Sequence, residues 1–308
     1  MNLENKRIVV TGGAGFIGSH LVDRLVADND VIVVDDRSNG EREWVHEDAT
    51  FVDGDLTDPA VTAEAITPDT DLVVHLAASK LVDTDTPRRQ FDDNSEITYN
   101  ILERMDEVGV QHIVFTSSST VYGEAPRPTP EDYAPLEPIS VYGAAKLAEE
   151  SLISTYTHSH DMQAWVFRFA NIVGPRLRGA VIPDFIEKLR EDPDSLTILG
   201  DGRQQKSYMH VSECIDAMCY AVEHADDDHN VFNLGTRTTT SVDRIADIVA
   251  DEMDLDPEYE YTGGDRGWTG DVPRMRLSID KLAALGWEPS HSSDDAVRQS
   301  ARELIAEQ

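Results

Sequence analysis

The chain of 308 residues is 40% hydrophobic, enough apolar material for a large core in one large domain or two coupled ones. Its 59 acidic residues against 26 basic ones give a net charge of -33, a field that repels nucleic acid and other polyanions. No apolar run approaches bilayer length, and a strand-like run starts at Arg7, which leaves no room for a signal peptide and points to the cytoplasm. In chain order, 7–11, 31–35, 50–52, 72–76, 111–116 and 163–169 read as strands. Their near-continuous valine and isoleucine runs belong to strands buried on both faces, as in parallel sheets. Between them, 16–27, 88–108 and 142–158 read as helices. The alternation predicts an α/β fold with a doubly wound parallel sheet. Residues 123–138, rich in proline and acids, read as a loop. After Asn171, Gly and Pro become frequent and short strands mix with helices. A first domain is therefore expected at 1–171, and a smaller, mixed α/β C-terminal substrate domain at 172–229 and 256–308. Residues 230–255 are expected to return to the main sheet.

The charge has two readings, a solubility surface or adaptation to a very salty cytoplasm, where counterions screen self-repulsion. Aspartate exceeds glutamate, and only Lys6, Lys80, Lys146, Lys188, Lys206 and Lys281 are lysines, arginine supplying the rest. That bias favours a halophile of the haloarchaeal kind. Cys214 and Cys219 have no metal-ligand spacing and read as buried apolar side chains.

Between the first strand and helix lies Thr11-Gly12-Gly13-Ala14-Gly15-Phe16-Ile17-Gly18. Glycines let the backbone turn sharply and approach a pyrophosphate. The helix start at Phe16-Ile17 presents N–H groups and a positive dipole end, and Gly18 lets the helix pack closely. The second strand ends in Asp35, placed to accept from adenosine ribose hydroxyls and to repel a 2′-phosphate. In this context the glycine set predicts a Rossmann-type domain that prefers NAD. Arg37 keeps NADP as the alternative, and Asp36 weighs against it. Asp55 and Leu56, after the third strand, are candidates to frame the adenine.

Tyr142 and Lys146 are four apart on a predicted helix and share a face. A phenol with its ordinary pKa near ~10 is a poor base at neutral pH. A neighbouring ammonium and a cationic nicotinamide ring are expected to lower it. The strand at 111–116 runs into Ser117-Ser118-Ser119, a hydroxyl-rich end at the edge where ligands of such sheets bind. His75 ends an apolar strand and reads as a satisfied, partly buried histidine.

These motifs, with His75-Leu76-Ala77-Ala78, Thr120-Val121-Tyr122-Gly123, Arg168-Phe169-Ala170-Asn171 and Gly200-Asp201-Gly202, resemble the extended short-chain dehydrogenases/reductases of the NAD-dependent epimerase/dehydratase family. The resemblance covers nearly the whole chain and is nearest to the UDP-glucose (UDP-galactose) 4-epimerase group. It implies NAD as cofactor, held by Gly12, Gly15, Phe16, Ile17, Gly18, Asp35, Asp55, Leu56, Ala77, Lys80, Asn94, Tyr142 and Lys146. It implies catalysis by Ser118, Tyr142 and Lys146, and substrate contacts by Ser118, Asn171, Lys206 and Arg266. Where the family has an arginine after Gly-Asp-Gly, this chain has Lys206, a point charge without the planar fork.

The implied reaction is epimerisation of a nucleotide-sugar, with UDP the expected carrier, by transient hydride transfer to tightly bound NAD through a 4-keto sugar. A 4,6-dehydratase is disfavoured because Ser118-Ser119-Thr120-Val121 supplies no acid pair. A decarboxylase is disfavoured because the expected glutamate is absent there. A non-catalytic NAD(P)-binding regulator is disfavoured because tyrosine, lysine and serine are all present. Homodimerisation through helices 88–108 and 142–158 is a further implication of the resemblance. Met275 falls near the position that gates bulk at the second carbon of the sugar, which makes N-acetyl sugars candidate substrates.

Overall fold

A computed structural model describes residues 1–79, 86–264 and 272–307. The elements run β1 (Arg7–Thr11), α1 (Phe16–Leu25), β2 (Asp30–Asp35), β3 (Thr50–Asp53), α2 (Pro59–Ala65), β4 (Leu72–His75), α3 (Pro87–Val108), β5 (His112–Ser118), α4 (Val141–Ser159) and β6 (Gln163–Phe169). There follow β7 (Asn171–Val173), α5 (Val181–Glu191), β8 (Ser195–Ile198), β9 (Gln205–Lys206), β10 (Tyr208–His210), α6 (Val211–His224) and β11 (His229–Leu234). The last are β12 (Thr240–Ser241), α7 (Val242–Glu252), β13 (Glu258–Tyr261), β14 (Arg274–Met275), α8 (Asp280–Leu285) and α9 (Ser293–Ala306). In the first half the expected elements are found within two residues of their bounds, and α2 has no expected counterpart. The largest strand difference is β5, which runs on to Ser118.

Two compact units divide the chain. The first comprises Met1–Val121, Ser140–Arg168 and Ile215–Phe232. Its seven-stranded sheet has the order β11-β6-β5-β4-β1-β2-β3. β1 pairs in parallel with β2 and β4, β2 with β3, and β4 with β5. β6 and β11 are parallel too, since Ala164 N–H donates to Asp228 O and Ala170 N–H to Leu234 O at one constant offset.

Side chains alternate across these strands. Val9, Ile32, Val34, Val73, Ile113 and Phe115 pack with Ala65 of α2, Ile97 and Ile101 of α3 and Ile153 of α4. On the opposite face Leu72, Val74 and Val114 meet Leu21 and Leu25 of α1 and Met218 and Val222 of α6. Helices on both faces make the sheet doubly wound. Cys214 is fully buried, and Cys219 lies against the same apolar face, where burial pushes its thiol up to about 11.

Local sequence sets the ends of the helices that carry the site. Pro87 opens α3, where its missing N–H costs nothing. Gly109, at φ 80, closes it in the left-handed conformation. Ser140 caps α4 by accepting from Gly143 N–H at 3.1 Å.

The second unit comprises Tyr122–Ile139, Phe169–Cys214 and the chain from Asn233 onward. It is mixed α/β, with small pairings β10-β7, β12-β9-β14 and β13-β8. α5, α7 and α9 pack on one another. α7, expected from sequence to return to the main sheet, stays in this group, where Glu252 at its end holds Arg298 at 2.6 Å and Arg302 at 2.7 Å on α9. Only the preceding strand, β11, joins the main sheet. No helix among the described residues is long and apolar enough to cross a membrane.

Candidate active site

The dinucleotide turn is built by close approach of backbone to backbone. Gly12, at φ 68, lies where an added Cβ would sit 2.8 Å from the Ala77 nitrogen. At Gly18 a Cβ would sit 2.2 Å from the Gly12 carbonyl oxygen. Only glycine fits either place. Gly12 N–H donates to Val34 O at 2.8 Å and Gly15 N–H to Gly12 O at 3.1 Å, folding the turn back over the strand ends. Gly15 is the N-cap of α1 and offers no side chain, and the first turn from Phe16 and Ile17 carries no acid. In a chain with this acid surplus, an acid-free helix start fits a pyrophosphate.

Asp35 is buried at the end of β2. Its carboxylate accepts from Ala14 N–H at 3.0 Å and Arg37 N–H at 2.7 Å, bracing the turn. Burial raises its pKa, with the two backbone donors opposing. The Arg37 guanidinium turns away onto Asp53, with Nη2 2.6 Å from Oδ2 and Nε 3.3 Å from Oδ1. That pairing occupies the cation the sequence offered to a 2′-phosphate, and favours NAD. Asp55 is exposed and accepts from Thr57 N–H at 2.9 Å. Leu56 is buried in the core beneath the sheet.

Beyond β4, Ala77 N–H donates to Thr11 Oγ1 at 3.2 Å. Asn94 on α3 clamps the next turn of chain. Its Oδ1 accepts from Ser79 N–H at 2.7 Å and its Nδ2 donates to Ser79 O at 3.0 Å. Asn94 thus supports the segment through backbone hydrogen bonds. His75 is fully buried and has a partner at each ring nitrogen, Thr11 Oγ1 at 2.9 Å and Thr98 Oγ1 at 3.1 Å.

α4 brings Tyr142 and Lys146 together. Lys146 is 1% exposed, and its Nζ stands 4.5 Å from the ring centre of Phe115 and 6.0 Å from that of Tyr142. Glu149 Oε2 lies 3.3 Å from Nζ, outside hydrogen-bond alignment. The ammonium therefore has donors left for a ligand. At Tyr142 the Lys146 cation acts in the expected direction, against a burial that the sequence does not show. Burial raises its pKa, the Lys146 ammonium opposes, and the Glu149 carboxylate adds to the rise. Desolvation of the phenolate outweighs the single cation. Ser118 ends β5, three residues beyond Phe115, and its Oγ accepts from Thr120 N–H at 3.2 Å.

In the second unit, Asn171 and Lys206 flank Ser207. Asn171 Nδ2 donates to Ser207 O at 3.4 Å, and Lys206 is paired in register with Met275. Lys80 and Arg266 lie outside the described residues. Sequence reasoning missed Glu149 and Thr98. The one available signal was an acid three residues after Lys146, on the buried side of α4.

Comparison with known proteins agrees with this architecture. The UDP-glucose 4-epimerase of Mycolicibacterium smegmatis is 33% identical over 298 residues, 92% of this chain and 93% of that one. A crystal structure of a UDP-galactose 4-epimerase is 43% identical, covers 98% of this chain and 99% of that one, and superposes with a TM-score of 0.89. The UDP-glucose 4-epimerase of Thermotoga maritima, solved with UDP-glucose, is 31% identical with a TM-score of 0.90, over 98% and 99% of the two chains. The model of the NAD dependent epimerase/dehydratase family matches residues 8–235, which carry the glycine turn, Asp35 and the Tyr142–Lys146 pair, and the chain belongs to that family.

Proposed function

We propose that this chain is a UDP-sugar 4-epimerase that works on glucose/galactose-type sugars. The observation that carries the reading is the Tyr142–Lys146 pair, set on Phe115 in the same unit as the dinucleotide turn. Asp35 and the start of α1 hold the dinucleotide at its ribose and pyrophosphate. Lys146 gives its remaining donors to the nicotinamide ribose. NAD, when bound, supplies a hydride acceptor and donor at the sugar C4. Tyr142 takes the proton from the C4 hydroxyl and later returns it, with Ser118 holding the same hydroxyl. Lys146 lowers the cost of the phenolate, and the protein contributes placement and electrostatics. Asn171 and Lys206 are the second unit's groups for the nucleotide diphosphate. Met275, buried beside Lys206 in register, is a flexible wall that accommodates an N-acetyl group.

Incubation with a panel of UDP- and dTDP-sugars, without added NAD and in concentrated salt, tests the reading. The C4 epimer is expected. Loss of water or of carbon dioxide from the sugar would assign a dehydratase or a decarboxylase instead.

We infer further that two copies pair through α3 and α4, a reading supported by Tyr99 of α3, which is 45% exposed. Sedimentation in concentrated salt reads the dimer directly. The net charge of -33 supports function in a salty cytoplasm.

A further inference from the structure

Two glutamates follow Lys146 on α4, and both are buried. Glu150 is fully engaged. Arg168 holds it through Nε to Oε1 at 3.0 Å and Nη2 to Oε2 at 2.7 Å, and Ser117 Oγ donates to Oε1 at 2.5 Å. Among the described residues Glu149 pairs with no arginine. Its Oε1 accepts from the Thr98 hydroxyl at 3.0 Å, and its Oε2 faces Lys146 Nζ at 3.3 Å.

The hydrogen bonds behind Thr98 have one consistent assignment. A carboxylate only accepts, so the Thr98 hydroxyl donates to Glu149 and its oxygen takes His75 Nε2–H. Burial and the nearby Lys146 hold the His75 pKa well below its ordinary value, so the ring is neutral and Nδ1 accepts. The donor to Nδ1 is the Thr11 hydroxyl, whose oxygen takes Ala77 N–H. Every hydroxyl donates once and accepts once. All the dipoles point their hydrogens toward Glu149, and such chains reinforce one another in a low-dielectric interior. The chain starts at Thr11, which precedes Gly12, and at Ala77, which packs against it, and ends at the ammonium beside Tyr142.

We propose that Glu149 is a positioning residue for the reaction, the far end of a hydrogen-bonded relay through Thr98, His75 and Thr11 that aligns Lys146 with the dinucleotide turn and sets the field on the Tyr142 phenol. The proposal rests on the epimerase reading for its chemistry, and on this geometry for the relay. Among the described residues the charged groups that face the pair are few. α4 contributes Lys146, Glu149 and Glu150, and β6 contributes Arg168, which pairs with Glu150. β4 contributes neutral His75, and the facing residues Thr98 of α3 and Phe115 of β5 are uncharged. Among the described residues the net local field is therefore that of Lys146 and Glu149.

The test is Glu149→Gln, which keeps an acceptor for Thr98 and removes the charge. Tyrosinate absorbance of NAD-loaded protein, taken as a difference against Tyr142→Phe, reads the phenol directly. Its midpoint is expected to fall by about half a pH unit, and the acid limb of the turnover profile to fall with it. An unmoved or raised midpoint overturns the proposal. Thr98→Val cuts the relay without touching the ion pair and stands in if Glu149→Gln does not fold. It is expected to lower kcat about fivefold, the weight of one neutral hydrogen bond, with KM and bound NAD unchanged. Wild-type kcat in Thr98→Val overturns the relay, as does a further loss when it is added to a folded Glu149→Gln. If the wild-type chain turns over none of the sugars tested, the epimerase reading fails, while the absorbance titration still decides the role of Glu149.

Discussion

Arg168 of β6 grips Glu150 of α4 with two parallel hydrogen bonds, both side chains less than a tenth exposed. The pair fastens the helix that carries Tyr142 and Lys146 to the sheet. Removing one partner strands a buried charge, so Arg168→Met is expected to destabilise the chain by about 3 kcal/mol or more. Replacing both, as Arg168→Met with Glu150→Leu, should recover much of the loss. Denaturant unfolding of the single and double variants checks this.

Tyr142→Phe is expected to abolish turnover while sparing NAD binding and the melting temperature. Because burial raises the phenol pKa, the base form accumulates toward alkaline pH, and turnover should climb with pH through the neutral range. Oxidised NAD adds a second cation, so the phenol should titrate lower with NAD than with NADH. Absorbance titration of the two complexes measures that difference.

Gly18→Ala places a methyl 2.2 Å from the Gly12 carbonyl oxygen. Backbone cannot yield cheaply there, so a loss of about 2 kcal/mol in stability is expected. Bound NAD should disappear, since the turn must open to relieve the clash. The dinucleotide content of purified protein, read after heat release, is the check.

Asp35→Ser together with Asp53→Asn is expected to move preference toward NADP. The first change removes the carboxylate that repels a 2′-phosphate, and the second releases Arg37 from its bidentate partner. The ratio of NAD and NADP dissociation constants should shift by at least tenfold, about 1.4 kcal/mol. An unchanged ratio would show that Asp36 decides the preference.

His75 gives a stability signature with pH. Its folded pKa lies well below the ordinary value, so the unfolded chain takes up the proton more readily. Stability from this group is complete above pH ~6.5 and is lost as pH falls, by up to about 1.4 kcal/mol per pH unit. Asp35 and Glu149, with raised pKa values, push the opposite way. His75→Gln should therefore flatten the fall in melting temperature between mildly acidic and neutral pH.

What could be read from sequence was local. The glycine turn, Asp35 at a strand end and the four-residue step from Tyr142 to Lys146 each sit within one element or one junction, where periodicity and backbone requirements speak directly. The relay was not legible because its members come from β1, β4, α3 and α4, with Thr98 51 residues from Glu149 and His75 23 residues from Thr98. The same limit hides that Leu56, which reads as a loop residue near adenine, also belongs to the core. It explains α7 as well, whose apolar face matches α5 and α9 as well as it would a sheet. The expected fall of the Tyr142 phenol weighed the Lys146 ammonium and a nicotinamide ring, and the burial that opposes it is a property of packing.

The bare opening of α1 has a kinetic meaning. An anionic coenzyme must cross the repulsive field of a strongly acidic molecule before it reaches a helix start left without a carboxylate. Mobile ions shorten that field to a few ångströms at high ionic strength. Capture of the coenzyme should accordingly quicken as salt is added, the reverse of the behaviour of proteins that recruit anions with lysine and arginine.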